Sequence, residues 1–121
     1  MRWKNSHDLQ AYLKRRSERR AELGRGLENE VENLLQAMLD DGLIAEFRAN
    51  APNTKADQEG KDFTVTRLMD GARETRHFGV TISPRSWRTA KAVHNDVPQF
   101  CWPIGTNRDT MRRRILELFG A

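Results

Sequence analysis

Two β-prone runs meet at one tight turn in this chain, and their alternation constrains the fold more than any other feature. Asp62 to Leu68 is rich in β-branched residues, and Asp70-Gly71 behind it is a strong hairpin signal. The return run, from about Arg73 to Ile82, is broken by Ser83-Pro84. Period-two alternation sends Phe63 and Val65 to the core and lets Asp62, at the head of its strand, point towards a cleft. On the return strand Val80 and Ile82 alternate with Thr81 and Ser83, and the hairpin brings the Thr81–Ser83 face beside Asp62.

The remaining elements follow from spacing and punctuation. Ser6 is placed to cap a helix starting near His7, with Leu9, Tyr12 and Leu13 as a short apolar stripe. The polar stretch from there to Leu23 reads either as a projecting helical arm or as the first part of one long helix. Leu27, Val31, Leu34, Leu35 and Met38 recur at helical spacing, and Gly42 supplies the stop. Leu43 to Ala49 reads as a strand and Asn50 to Gly60 as a loop long enough to carry function. After the hairpin, Ser86 is placed to cap a helix to about Val93. Val97 to Ile104 is a proline-interrupted strand, short or at an edge, and Arg108 to Phe119 is a last helix. The resulting class is α/β with a mixed sheet: residues 1–22 form a basic helical arm and residues 23–121 one domain.

With 121 residues, 37% hydrophobic and 31% charged, the chain suits one globular domain. No apolar run approaches the roughly 18 residues of a membrane span, and no hydrophobic segment follows the basic N-terminus. The single cysteine, Cys101, excludes an intrachain disulfide and fits a reducing, cytoplasmic setting, as a small core residue. The net charge of +4 is concentrated: residues 1–25 hold eight basic and three acidic side chains, a local +5. Between Glu74 and Asp96 lie Arg76, Arg85, Arg88 and Lys91 with no acid, and Arg112 to Arg114 form a third cluster. Such patches are either footprints for phosphate backbones or solvated helix faces. Trp3, Trp87 and Trp102 are candidates for base stacking or for packing. His77 and His94 have no zinc-ligand spacing, and His94 is placed to end a helix.

The order helix, three strands, helix, strand, helix, with Gly60-Lys61-Asp62-Phe63-x-Val65 opening the second strand, resembles the PD-(D/E)XK nucleases, the restriction-endonuclease-like superfamily. The resemblance covers roughly residues 24–119 and includes Gly26-x-x-x-Glu30 and the segment Val97 to Trp102. It implies a three-layer αβββαβα core and a divalent metal, Mg2+ or Mn2+, held by oxygen ligands. Asp62 matches the metal-binding aspartate, Glu30 the helix acid, and the Ile82 carbonyl a further ligand; on the helical wheel Glu28 is as well placed as Glu30. Thr81 and Ser83 fall where the family has an acid or Gln and a Lys. Thr81 is a weaker ligand, and Ser83 has no charge to set against a developing phosphorane.

A lysine from another element can take the missing position, Lys91 first, then Lys61 or the basic Arg85. Arg85, Arg88 and Lys91 are expected to ring the cleft, and Lys14, Arg15, Arg16, Arg19 and Arg20 to add backbone affinity. The expected function is a nuclease-like domain engaging DNA or structured nucleic acid, with weak or lost cleavage, no membrane partner and room for a homodimer. The alternative is a non-catalytic protein-interaction module of the same fold. An unrelated RNA-binding α/β domain would instead expose aromatics on an open sheet face.

Overall fold

The computed structural model describes residues 6–120, and Trp3 and the first basic residues lie outside that range. Helix α1 runs without interruption from Ser6 to Asp40. Its second half inserts Leu27, Val31, Leu34, Leu35 and Met38 into the core, the last four fully buried. Gly42 ends it at φ 76°, with Leu43 N donating to Met38 O at 2.9 Å and Gly42 N to Leu39 O at 3.1 Å, a Schellman closure. The expected arm and the domain thus share one helix, and their 22/23 boundary falls inside it.

Three antiparallel strands follow: β1 (Glu46–Ala49), β2 (Phe63–Met69) and β3 (Ala72–Thr81). The hairpin between β2 and β3 turns at Asp70 and Gly71, both at positive φ (50° and 82°), the pair a type I′ turn requires. Helix α3 (Pro84–Val93) then crosses to β4 (Gln99–Cys101), which pairs parallel to β3, and α4 (Arg108–Glu117) closes the chain. The sheet order is β1-β2-β3-β4. The molecule is therefore mixed α/β with a four-stranded mixed sheet.

The register assigns the faces. Phe63 lies opposite Phe78 and Val65 opposite Arg76, on the side where α1 and α4 pack. Phe63 and Phe78 stack at 5.4 Å, and Phe78 extends the cluster to Phe100 and the buried Trp102. Trp102 is a core residue. On the other face Thr66 and Thr75 share a hydroxyl hydrogen bond of 3.0 Å, and Thr64 meets His77 Nδ1 at 2.9 Å. Glu46, Arg48, Leu68 and Arg73, with Thr81, Gln99 and Cys101 towards β4, share that face by alternation. Among the described strand residues, therefore, no Phe, Tyr or Trp stands there for bases to stack on.

Several boundaries differ from expectation, each for a local reason. β1 starts at Glu46 rather than Leu43, because Gly42 and Leu43 are used to close α1 and Ile44 is buried beneath the turn. The 50–60 loop contains a short helix α2 (Lys55–Gln58), capped by Thr54, whose hydroxyl accepts from Asp57 N. Ser83, not Ser86, caps α3, and Pro84 takes the first helical turn, where its missing N–H costs nothing. β4 keeps three residues of the expected 97–104 run, since Pro98 and Pro103 flank it. No described helix is long and apolar enough to cross a membrane.

Candidate functional site

Asp62 stands where the chain leaves Gly60 and enters β2. Gly60 holds φ 81°, and a Cβ there would lie 2.6 Å from His94 Cδ2, so the position requires glycine twice over. Asp62 N donates to Phe78 O at 2.9 Å, and Asp62 O accepts from Asn50 N at 2.9 Å. The carboxylate is itself part of the ladder: Oδ2 accepts from Val80 N at 2.8 Å. Backbone and side chain of Asp62 therefore bracket Gly79. A Cβ at Gly79 would collide with Gln99 Oε1 and sit 2.6 Å from Gly60 O, while Gln99 Nε2 donates to that same carbonyl at 3.0 Å.

Burial pushes the Asp62 carboxyl above its ordinary 3.8; the Val80 amide pulls it back, Asp57 raises it further, and His94 lowers it. The helix acid in this field is Glu28. Burial raises it above its ordinary 4.5, and Asp62, Asp57 and Glu32 add repulsion against a lowering influence from Arg25. Glu30 is exposed. Two residues along a helix turn a side chain by about 200°, so Glu28 and Glu30 cannot serve the same point. Glu28, as well placed as Glu30 on the helical wheel, is a helix acid that feels the Asp62 charge.

The other expected site residues are engaged elsewhere. Thr81 Oγ1 donates to Phe100 O at 3.5 Å, and Thr81 O accepts from Trp102 N at 2.8 Å. Ile82 packs against the core. Ser83 Oγ accepts from Ser86 N at 3.2 Å as the α3 cap and donates to Ser86 Oγ at 3.0 Å. Lys91 Nζ lies over the Trp87 ring at 4.7 Å, a contact within α3. Lys61 pairs with Glu59 at 2.8 Å. Among the described residues no three His, Cys, Asp or Glu side chains gather as metal ligands. With Oδ2 of Asp62 engaged by an amide and the Thr81 and Ser83 hydroxyls engaged in structure, Oδ1 of Asp62 is the oxygen this set leaves for a hard divalent cation.

Beside this node lies an open groove of about 1010 Å³, walled by Leu23 of α1 on one side and by Arg85, Ser86, Thr89, Ala90 and Val93 of α3 on the other. Thr81, Ile82 and Ser83 form part of its lining, and His94 joins it to the Asp62 neighbourhood. Arg85 and Arg88 are exposed and form no ion pair with a described residue, and α3 contains no acid. Arg15, Arg16 and Arg19 are likewise exposed and unpaired among the described residues, as is Lys14; the Arg20 side chain lies outside them. By contrast Arg73, Arg112 and Arg114 pair with Glu46, Asp109 and Glu117. Arg85 reaches the groove while Lys91 does not line it, so the α3 cations do not all converge on Asp62.

Sequence reasoning named Glu30 by resemblance while leaving Glu28 level with it on geometry, and it did not single out Asp57, Gln99 or Gly79. Gly60 carried a signal, since a glycine two residues before a strand-opening acid marks a special backbone; Gln99 carried none. Trp87 was weighed as a stacking residue, but its Nε1 donates to Gln99 O at 2.7 Å and closes the outer edge of β4. Comparison with protein-family models, with curated proteins and with solved structures finds no match to this chain.

Proposed function

We propose that this chain is a nuclease-like domain of the PD-(D/E)XK type that holds nucleic acid, DNA in the first place, and cleaves it weakly or not at all. The observation that carries the binding half is the distribution of unpaired charge. Arg73, Arg76, Arg112 and Arg114 have carboxylate partners. Arg85 and Arg88, close together on α3, and Arg15, Arg16 and Arg19, close together on α1, have none among the described residues and form two exposed basic runs. Arg25, Arg48, Arg67, Arg108 and Arg113 lack such a partner too but are scattered over the domain. Exposed guanidinium groups without internal partners are free to replace counterions on a phosphate backbone. The element order, with α3 crossing between the parallel strands β3 and β4, supports the resemblance. Weak cleavage follows from the commitments of Asp62, Thr81 and Ser83: there is no lysine at the node, and the aspartate already serves an amide.

Fluorescence anisotropy with labelled duplex, branched and single-stranded oligonucleotides, across a salt series and with or without Mn2+, tests both halves. Salt-dependent binding is expected, and Arg85→Ala with Arg88→Ala should reduce the log–log salt slope by about 2, roughly one per lost phosphate contact. Absence of salt-dependent binding, or an unchanged slope in the double variant, removes nucleic acid from the assignment. Rapid Asp62-dependent cleavage with Mn2+ removes the claim of impaired chemistry.

A further inference from the structure

We infer that the groove between α1 and α3 takes a single strand of nucleic acid, phosphate towards Arg85 and base towards Val93; this deepens the nucleic-acid reading above and rests on it. Three observations lead there. The first is size. The groove's volume of about 1010 Å³ is at the upper end of the ~300–1,000 Å³ of small-ligand sites, room for the nucleotide units of a strand whose bases are not held in a duplex stack.

The second is composition along the groove. Ser86, Ala90 and Val93 recur on one face of α3, over about 10 Å of helix, and pass from polar at the first turn to apolar at the last. Arg85 stands at the polar end. At the other end Val93 is 67% exposed and His94 follows it with an aromatic ring, while Leu23 of α1, 37% exposed, lines the same groove. A nucleotide has the same asymmetry: a charged phosphate at one end and a flat, largely apolar base at the other.

The third is charge and access. None of the described residues lining the groove carries a carboxylate. Among the described residues α1 packs on β1, β3 and α4 and not on α3, which leaves the groove open between its walls. A strand can therefore pass through it, towards the exposed arginines of the first half of α1.

The test compares a labelled thymidine oligonucleotide with a duplex of equal length on the full chain, using wild type, Val93→Glu, Val93→Lys and Leu23→Glu. All three substitutions fall at exposed positions, and thermal melts confirm that each variant folds. The expected result is single-strand binding at least about 10-fold tighter than duplex binding, weakened about 10-fold or more by each variant. Val93→Lys separates the contacts: it adds positive charge, yet it should weaken binding if a base rests there. Equal or tighter duplex binding, indifference to the Val93 and Leu23 substitutions, or tighter binding by Val93→Lys overturns the groove assignment and leaves the general reading in place. Thymidine monophosphate competing as well as the oligonucleotide also overturns it. No binding to either probe overturns the nucleic-acid reading itself, and this inference with it.

Discussion

Asp62 donates its amide hydrogen to Phe78 O at 2.9 Å and accepts the Val80 amide hydrogen on its carboxylate at 2.8 Å, so one residue of β2's approach grips β3 on both sides of Gly79. The side chain supplies the acceptor at a point where the neighbouring backbone no longer does. An aspartate in that role contributes to structure first, and any chemistry is left with one oxygen.

Removing the acceptor should therefore matter more than removing the charge. Asp62→Asn keeps a carbonyl oxygen for the Val80 amide; Asp62→Ala leaves that half-buried donor without a partner. Urea unfolding should place the alanine variant about 1–3 kcal/mol below the asparagine variant, the cost of an unsatisfied polar group.

The same carboxylate gives stability a pH dependence. Asp62 and Glu28 both bind protons more tightly folded than unfolded. Burial first, and then repulsion from Asp57 on both and from Asp62 on Glu28, disfavours their charged forms. The folded state then holds more protons through the window that opens at the ordinary values, 3.8 and 4.5, and closes above the raised folded ones. Their contribution to stability falls as pH rises through that window. Asp62→Asn combined with Glu28→Gln should flatten this decline in thermal melts from about pH 4 to about pH 7.

Gly79→Ala should destabilise by about 1–3 kcal/mol, the usual cost of forcing atoms into filled space. Gln99→Ala should not restore the loss, because a Cβ at Gly79 also sits 2.6 Å from the Gly60 carbonyl oxygen, which belongs to the backbone. Paired denaturation curves for the single and double variants check this.

Ser83 supplies the helix cap at the position where the resembling family has lysine. Ser83→Ala and Ser83→Lys should each cost about 0.5–2 kcal/mol, and Ser83→Asp should retain most of the stability, since it keeps an oxygen for the Ser86 amide. Thermal unfolding of the three variants gives the ranking.

Trp87→Phe should cost about 1 kcal/mol through loss of the hydrogen bond to Gln99 O. It should also increase self-association, because the outer edge of β4 is then uncapped. Lys91→Ala removes only an exposed cation–π contact, about 0.5–1 kcal/mol, and should leave the titration of Asp62 unchanged. Sedimentation and carboxylate-observed NMR separate the two variants.

The hairpin and the core stripe of α1 were legible because each depends on local rules: an Asp-Gly turn, β-branched alternation, and apolar residues every three or four positions. The strand ends were less so. Whether β1 begins at Leu43 or Glu46 depends on Leu43 closing α1, a backbone bond that no side-chain pattern announces. The site was legible in its anchor and not in its surroundings. Asp62 could be singled out, but choosing Glu28 over Glu30 needs the azimuth at which α1 meets the sheet, since both flank the apolar stripe. Lys91 shows the same limit: its nearest partner is Trp87, four residues before it on the same helix, and the contact that decides its role is local while the expected one was distant.

The uninterrupted run of α1 from Ser6 to Asp40 has a mechanical consequence. A tether would let the arm's cations wander, whereas a helix rooted in the core by Leu27, Val31 and Leu34 behaves as a stiff lever. Arg15 stands twelve residues before Leu27, about 18 Å along the axis, at an angular phase fixed by the helical pitch. The spacing between the arm's cations and the core is therefore measured out like divisions on a ruler. Inserting a single residue between them would swing the arm's charges about 100° around the axis while hardly changing their reach.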